Sequence, residues 1–279
     1  EREWVNLSEA IEWCLGSEQY DLFKEFWLYL GGFTRFGGYW DERLAWLDCL
    51  LEVATRADDR PTIARILLDK VHTFALVDRP AQQEEAIALC QEALAIPDGL
   101  EFEACFNATV HLTLLYLNLG DISQARKSIS DAKFMLNNTT FGERERLKFQ
   151  IYLWYYQGQI NTEIGELSKA RELYQQCLQQ ARQLNWQLMI IYTYSRLAII
   201  EIEEGNFEEA ERLLQLVLTS AEQNCDKRSI AFCQRYYALL EQKRENLVKA
   251  RHWALLAKEN FKRLKMLKEL REIDTLCRV

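Results

Sequence analysis

Three prolines and eleven glycines are all that interrupt 279 residues, well below ordinary usage. Breakers this sparse, in a chain rich in Leu, Ala, Glu, Gln and Arg, exclude a loop-rich or β-rich fold and predict one that is nearly all helix. Low-complexity tracts are missing too, which excludes long disordered tails. No run approaches the roughly 18 apolar residues of a membrane span, and no signal peptide opens the chain, so no membrane role is expected. The eight cysteines (Cys14, Cys49, Cys90, Cys105, Cys177, Cys225, Cys233 and Cys277) form no C-x-x-C pair, and several fall at apolar helix positions. Free thiols in a cytoplasmic protein are expected, not a disulfide framework.

An excess of basic charge is also lacking. Against 34 Lys and Arg stand 42 Asp and Glu, a net charge of −8, which argues against direct nucleic-acid binding. The balance shifts along the chain. From Glu241 to Val279 there are 11 basic and 6 acidic side chains, so this end is +5 and the remainder −13. A solvated terminal face with cations near helix C-termini accounts for it; a surface for an acidic partner is the alternative.

Catalytic constellations are absent as well. The three histidines, His72, His111 and His252, fall on separate predicted helices and are expected to lie far apart, without the four converging ligands of a zinc site. There is no nucleophile elbow and no cysteine with an activating neighbour. Paired carboxylates such as Glu203-Glu204 and Glu208-Glu209 sit at predicted exposed turns. The stretch WLYLGGFTRFGGYWDERLAWL, Trp27 to Leu47, contains Gly32-Phe-Thr-Arg-Phe-Gly37, half of a phosphate-loop pattern. It lacks the Lys and Ser/Thr that would reach phosphate and Mg²⁺. No enzyme, cofactor or metal is expected.

What the sequence does contain is a repeat. Turns GYWDER at Gly38, GDISQA at Gly120, GELSKA at Gly165 and GNFEEA at Gly205 share one frame, which AQQEEA at Ala81 and ENLVKA at Glu245 fit without the glycine. The starts are 43, 39, 45, 40 and 40 residues apart. An Ala follows five positions on, at Ala86, Ala125, Ala170, Ala210 and Ala250, with Arg43 in the first unit as the exception. Each unit is thus a helix, a tight turn in which Gly takes the left-handed conformation, and a second helix packed closely through the small residue. Breaks between units are expected at Asp58–Pro61, Ile96–Gly99, Asn137–Gly142, Leu184-Asn185, Asn224–Asp226 and Leu264-Lys265.

This spacing resembles the tetratricopeptide repeat (TPR). Trp27-x-x-Leu30-Gly31 with Gly38, Trp154 and Gly158 before Gly165, and Leu112 and Tyr116 before Gly120 match its pattern, in units longer than the usual ~34 residues. The resemblance implies an all-α, right-handed α-solenoid of about six hairpins plus a capping helix. Its expected divisions are an N-terminal helix at 1–16, an array at 17–266 and the cap at 267–279. The units run about 17–57, 58–98, 99–138, 143–184, 185–224 and 225–266. First helices of the units would line a concave groove. Carried over from the TPR pattern, ligand-facing positions are Asn107 and Asn118, Tyr152, Tyr155 and Gln159, Tyr192 and Ser195, and Phe232, Arg235 and Gln242. Leu114, Ile199 and Leu239 also fall on this face, and packing between repeats is the competing role for all of them. The tyrosines and Arg235 have the character of recognition anchors.

The N-terminal 55 residues carry a narrower resemblance, to the segment that opens the repeat region of STAND signalling ATPases of the NB-ARC and maltose-activator type. Glu3, Asn6, Leu7, Ala10, Ile11, Trp13, Cys14 and Leu15, then Gly38, Trp40, Glu42, Trp46 and Leu47, match that pattern. Arg43 stands where such proteins usually carry Gly. The chain lacks an initiator Met, and the resemblance implies an upstream ATPase module of the same protein. The implied role is a non-catalytic sensor region; a stand-alone TPR adaptor is the alternative. The partner is expected to be a protein or peptide, with a small-molecule effector also open.

Overall fold

A computed structural model describes residues 2–16, 19–77, 80–96 and 100–277. The described residues form fourteen α-helices and no strand. They are α1 (Arg2–Gly16), α2 (Tyr20–Gly37), α3 (Trp40–Arg56), α4 (Arg60–Val77), α5 (Pro80–Ala95), α6 (Phe102–Asn118) and α7 (Ile122–Asn137). They continue with α8 (Glu143–Glu163), α9 (Leu167–Gln183), α10 (Gln187–Glu203), α11 (Phe207–Gln223), α12 (Lys227–Lys243), α13 (Leu247–Arg263) and α14 (Leu267–Cys277). From α2 onward they pack as consecutive hairpins, each even-numbered helix against the odd-numbered one that follows, and α14 closes the last pair. The architecture is an all-α repeat solenoid of TPR-like hairpins with a short C-terminal helix. None of the helices is long and apolar enough to cross a membrane among the described residues.

One backbone device ends the helices. Gly38, Gly120, Gly165 and Gly205 have positive φ, and so do Asp58, Asn185, Cys225, Glu245 and Lys265. After every one of these nine residues, the next amide donates to the carbonyl five positions back, from Tyr39 N–H to Thr34 O through Met266 N–H to Phe261 O. That six-to-one bond closes a helix C-terminus and satisfies its orphan carbonyl. Asn185, Cys225 and Lys265 are the between-unit breaks read from the sequence, and Glu245 takes the left-handed role without being Gly. The second unit departs from the frame. Ala81, expected at the turn, lies inside α5, which starts at Pro80. Proline suits a first helical position, where its missing N–H costs nothing. Helix α5 ends at Ala95, just before the break expected at Ile96–Gly99, whose residues 97–99 lie outside the described residues, as do the side chains of Glu3 and Leu15.

The small-residue rule is a packing rule. Ala86, Ala125, Ala170 and Ala210 are fully buried, and Ala250 nearly so. Opposite Ala170, Gly158 of α8 admits the ring of Tyr174, itself completely buried, so closely that a Cβ there would lie 2.5 Å from a ring carbon. Arg43, the exception to the rule, is a buried cation. It donates to Gly31 O at 2.7 Å, Thr34 Oγ1 at 3.0 Å and Thr73 Oγ1 at 2.9 Å, pairs with Asp69 at 3.2 Å and lies over the Trp27 ring. In the first unit a polar clamp joining α2, α3 and α4 replaces the close Ala contact.

The two ends of the array meet. Arg228 Nε of α12 donates to Leu76 O of α4 at 3.0 Å, Lys268 Nζ of α14 to Asn118 O of α6 at 3.4 Å, and Lys265 pairs with Asp41. The Lys227 ammonium lies over the Tyr39 ring, and Leu264 sits directly against Gly38. Gly38 thus combines a φ of 74° with a close approach from the far end of the chain. Trp40 and Val77 share an apolar cluster with Ala254, Phe261, Leu264 and Met266. Trp40 and Val77 are almost fully buried in that cluster, so the junction has an apolar part beside its polar contacts. The solenoid therefore encloses a lumen.

Candidate ligand-binding lumen

The lumen wall comes almost wholly from the even-numbered helices, because each hairpin turns its first helix inward. Two neighbouring cavities occupy it, of about 590 Å³ and 430 Å³, and they share Leu114, Tyr155, Gln159, Tyr192, Arg196 and Arg228. Both fall within the roughly 300–1,000 Å³ typical of ligand sites.

Of the groove residues read from the sequence, Asn107 and Tyr152 line the larger cavity. Asn118, Ser195, Phe232 and Arg235 line the smaller, and Tyr155, Gln159 and Tyr192 face both. Gln242, in the last turn of α12, lines neither. Leu114, Ile199 and Leu239 also border the smaller cavity. Several of these side chains are already engaged. Arg235 is ion-paired with Glu272 of α14 at 2.7 Å, Asn118 Nδ2 donates to Ala75 O at 3.3 Å, and Tyr152 packs edge-on against Trp186. Burial pushes the Tyr192 hydroxyl up to about 12 and raises those of Tyr152 and Tyr156, so these phenols act as neutral hydrogen-bonding groups.

Other lumen residues were not singled out in the sequence. Arg196 follows Ser195 by one position and stands one helical turn beyond Tyr192, a spacing that puts the two on one face. Its guanidinium donates to Gln159 Oε1 at 3.1 Å and Tyr155 OH at 3.4 Å. Arg35 ends α2, and Arg228 opens α12. The expectation that the histidines lie far apart is corrected for one pair: His72 of α4 and His111 of α6 stack with ring centroids 4.5 Å apart. They lie one repeat apart, so the same inward register on adjacent inner helices brings them together. Burial, with Arg35 as a further cause, lowers the His111 imidazole to about 4, and burial with His111 and Arg35 nearby holds His72 well below its usual range.

Among the described residues, no group of three or more His, Cys, Asp or Glu is placed to hold a metal ion. All eight cysteines are free thiols, and burial pushes Cys90 and Cys233 up to about 12 and Cys177 to about 11, the opposite of nucleophile activation at these three.

This geometry has known parallels. A solved Rap protein, crystallised in complex with competence and sporulation factor, superimposes with a TM-score of 0.63 at 13% identity, covering 93% of this chain and 79% of that one. BtubC (BKLC) from P. vanneervenii superimposes with a TM-score of 0.53 at 14% identity, covering 81% of this chain and 92% of that one. At such identities the likeness is one of fold. No curated protein matches the chain. A family model described as the MalT-like TPR region matches residues 76–278, from the end of α4 through α14. With well over half of its length so matched, and with the hairpins, left-handed turns and inward-facing first helices in place, the chain belongs to the MalT-like TPR family.

Proposed function

We propose that this TPR module binds a protein or peptide partner, and that the partner enters the lumen. The module is non-catalytic, as its repeat family is. The observation that carries the lumen reading is the convergence of Tyr155, Gln159 and Tyr192, from two successive inner helices, on both cavities at once. Tyrosine and amide side chains on a rigid wall give contact area and hydrogen bonding at little ordering cost. The Rap protein, whose similar fold was crystallised with competence and sporulation factor, supports the same reading. The eight free thiols, four of them buried, are consistent with a cytoplasmic setting.

A test is to select peptides from a random library on the wild-type chain and measure their affinity for Gln159→Ala plus Tyr192→Ala. At least a tenfold loss in a folded double variant is expected. Unchanged affinity would place binding elsewhere.

A narrower reading makes the module the sensor of a STAND-type ATPase, in which the bound partner shifts an attached module between resting and active states by preferring one of them. The match to the MalT-like region and the N-terminal pattern around Trp13, Trp40 and Trp46 support it. The stand-alone adaptor has the broader support, since the TPR hairpins and their likeness to solved TPR-like superhelices require no attached module. Sequencing the full gene decides between them: a phosphate loop and winged helix upstream of Glu1 favour the sensor, and their absence the adaptor.

A further inference from the structure

The lumen carries a charge that the rest of the molecule does not. The chain is net −8, yet the larger cavity is lined by Lys24, Arg35, Arg65, Arg196 and Arg228 against one carboxylate among the described residues, Asp69. That carboxylate is already engaged, accepting from Trp27 Nε1 at 2.6 Å and pairing with Arg43. Many arginines elsewhere have acids of their own. Arg171 pairs with Glu201 and Glu204, Arg212 with Glu209, and Arg244 with Glu211 and Glu241.

Arg35, Arg196 and Arg228 have no carboxylate partner among the described residues. Arg196 has only Tyr155 and Gln159, and Arg228 only the Leu76 carbonyl and the Phe232 ring beneath it. Arg35 lies over the Phe36 ring, and its Nε is buried with no hydrogen-bond partner. His111 Nδ1 is buried and unpartnered in the same wall. Withdrawing guanidinium groups from water without a counter-charge is unfavourable. An anion among them would recover that energy through charge-assisted, bidentate hydrogen bonds.

The three cations line one cavity, from α2, α10 and α12. Arg35 and Arg228 both lie close enough to His72 and Tyr192 to influence their titration, and Arg35 reaches His111 and Tyr152 as well. Tyr152, Tyr156 and Trp186 supply aromatic faces in the same cavity. The end-to-end closure is what brings Arg35 and Arg228 together.

We infer that the larger cavity binds the anionic group of a compact ligand, a carboxylate or a phosphate, among Arg35, Arg196 and Arg228, with its apolar or aromatic body against Tyr152, Tyr156 and Trp186. This rests on the lumen being the binding surface and adds the charge and size of what enters it. A short peptide presenting such a group and a small organic acid share this chemistry.

The probes are benzoate, phenyl phosphate and benzamide, the uncharged isostere of benzoate. Each is titrated into the full chain, with binding read from Trp fluorescence, since Trp27 and Trp186 border the cavity, and from saturation-transfer NMR. Both anions are expected to bind at least tenfold more tightly than benzamide, and their relative affinities distinguish phosphate from carboxylate. Arg196→Gln and, separately, Arg228→Gln should each weaken the anions at least tenfold and leave benzamide unchanged, with folding checked by circular dichroism. Arg212→Gln, the same charge change on the outer surface, should alter nothing. Equal binding of benzamide and benzoate, no anion binding, or an equal loss in Arg212→Gln would overturn the inference. If library-selected peptides still depend on Gln159 and Tyr192 while no anion binds, the charge inference falls and the partner reading stands; if neither holds, both fall.

Discussion

His72 and His111 stack face to face inside the lumen wall, their planes 8° from parallel. Both are held neutral mainly by burial, His111 with a value lowered to about 4. A histidine whose folded value lies below the unfolded one, near 6.5, takes up protons less readily when folded. Its stabilising share is therefore complete above pH ~6.5 and is lost as pH falls toward 4. Urea unfolding at pH 7.5 and pH 5 should show a loss on the order of 2 kcal/mol from His111 alone. His111→Phe should remove most of that slope. Asp59, held low chiefly by its bond from Lys24, adds a separate loss only below pH ~4. A flat profile between pH 7.5 and 5, or one unchanged by His111→Phe, would contradict the burial of the pair.

Two glycines on inner helices should answer the same substitution in opposite ways. Gly158→Ala drives a methyl into the buried Tyr174 ring and should cost about 1–3 kcal/mol. Gly32→Ala has nothing within 4 Å of the new methyl and should stabilise α2 by about 0.5–1 kcal/mol through reduced backbone freedom in the unfolded chain. Thermal melts should therefore shift down for the first and up for the second. Shifts of the same sign would mean that the packing of α8 on α9, or the exposure of Gly32, is misplaced.

The clamp formed by Arg43 should be costly to break. Arg43→Met removes the cation, withdraws its N–H donors from Thr34 Oγ1, Thr73 Oγ1 and Gly31 O, and leaves Asp69 with Trp27 Nε1 but no counter-charge from Arg43. A loss of about 3 kcal/mol is expected in denaturant unfolding. Arg43→Lys should recover only part of it, since an ammonium cannot reproduce the guanidinium fork. Arg212→Ala, removing an exposed pair within one helix, should lie within about 0.5 kcal/mol of wild type. Equal effects of Arg43→Met and Arg212→Ala would refute the clamp.

The repeat was legible because its signals are local. Gly38, Gly120, Gly165 and Gly205 mark turns by their own conformational need, and the breaks at Asn185, Cys225 and Lys265 recur at a fixed interval. Continuity of α2 through Gly32 and Gly37 bears out the reading of that stretch as helix rather than phosphate loop. What stayed hidden is non-local. Nothing around Leu76 or Arg228 announces that they meet, because the contact depends on how many hairpins the superhelix stacks before it closes. Arg35 and Arg228 belong to opposite ends of the sequence and become neighbours of one cavity only through that closure. The His72–His111 pair, by contrast, follows from the repeat: the two stand one repeat interval apart, on successive inner helices.

Closure itself can be tested at Gly38. Gly38→Val forces a β-branched residue into a left-handed conformation and drives it against the buried Leu264 side chain. Gly120→Val suffers the same backbone strain, at a φ of 76°, with nothing within 4 Å. Each should lose about 1–2 kcal/mol to strain. Only Gly38→Val should also increase the radius of gyration in small-angle scattering, as the first hairpin leaves the last. Identical radii in both variants would mean that the ends do not depend on this contact.

The lumen as binding surface is tested most directly by photo-crosslinking. A benzophenone side chain is placed at Asn107 or Ser195 on the wall, or at the exposed Leu216 of α11, and each variant is irradiated with a peptide selected on the wild-type chain. Crosslinks from Asn107 and Ser195 and none from Leu216 are expected. Crosslinking from Leu216, with none from the wall positions, would contradict binding inside the lumen.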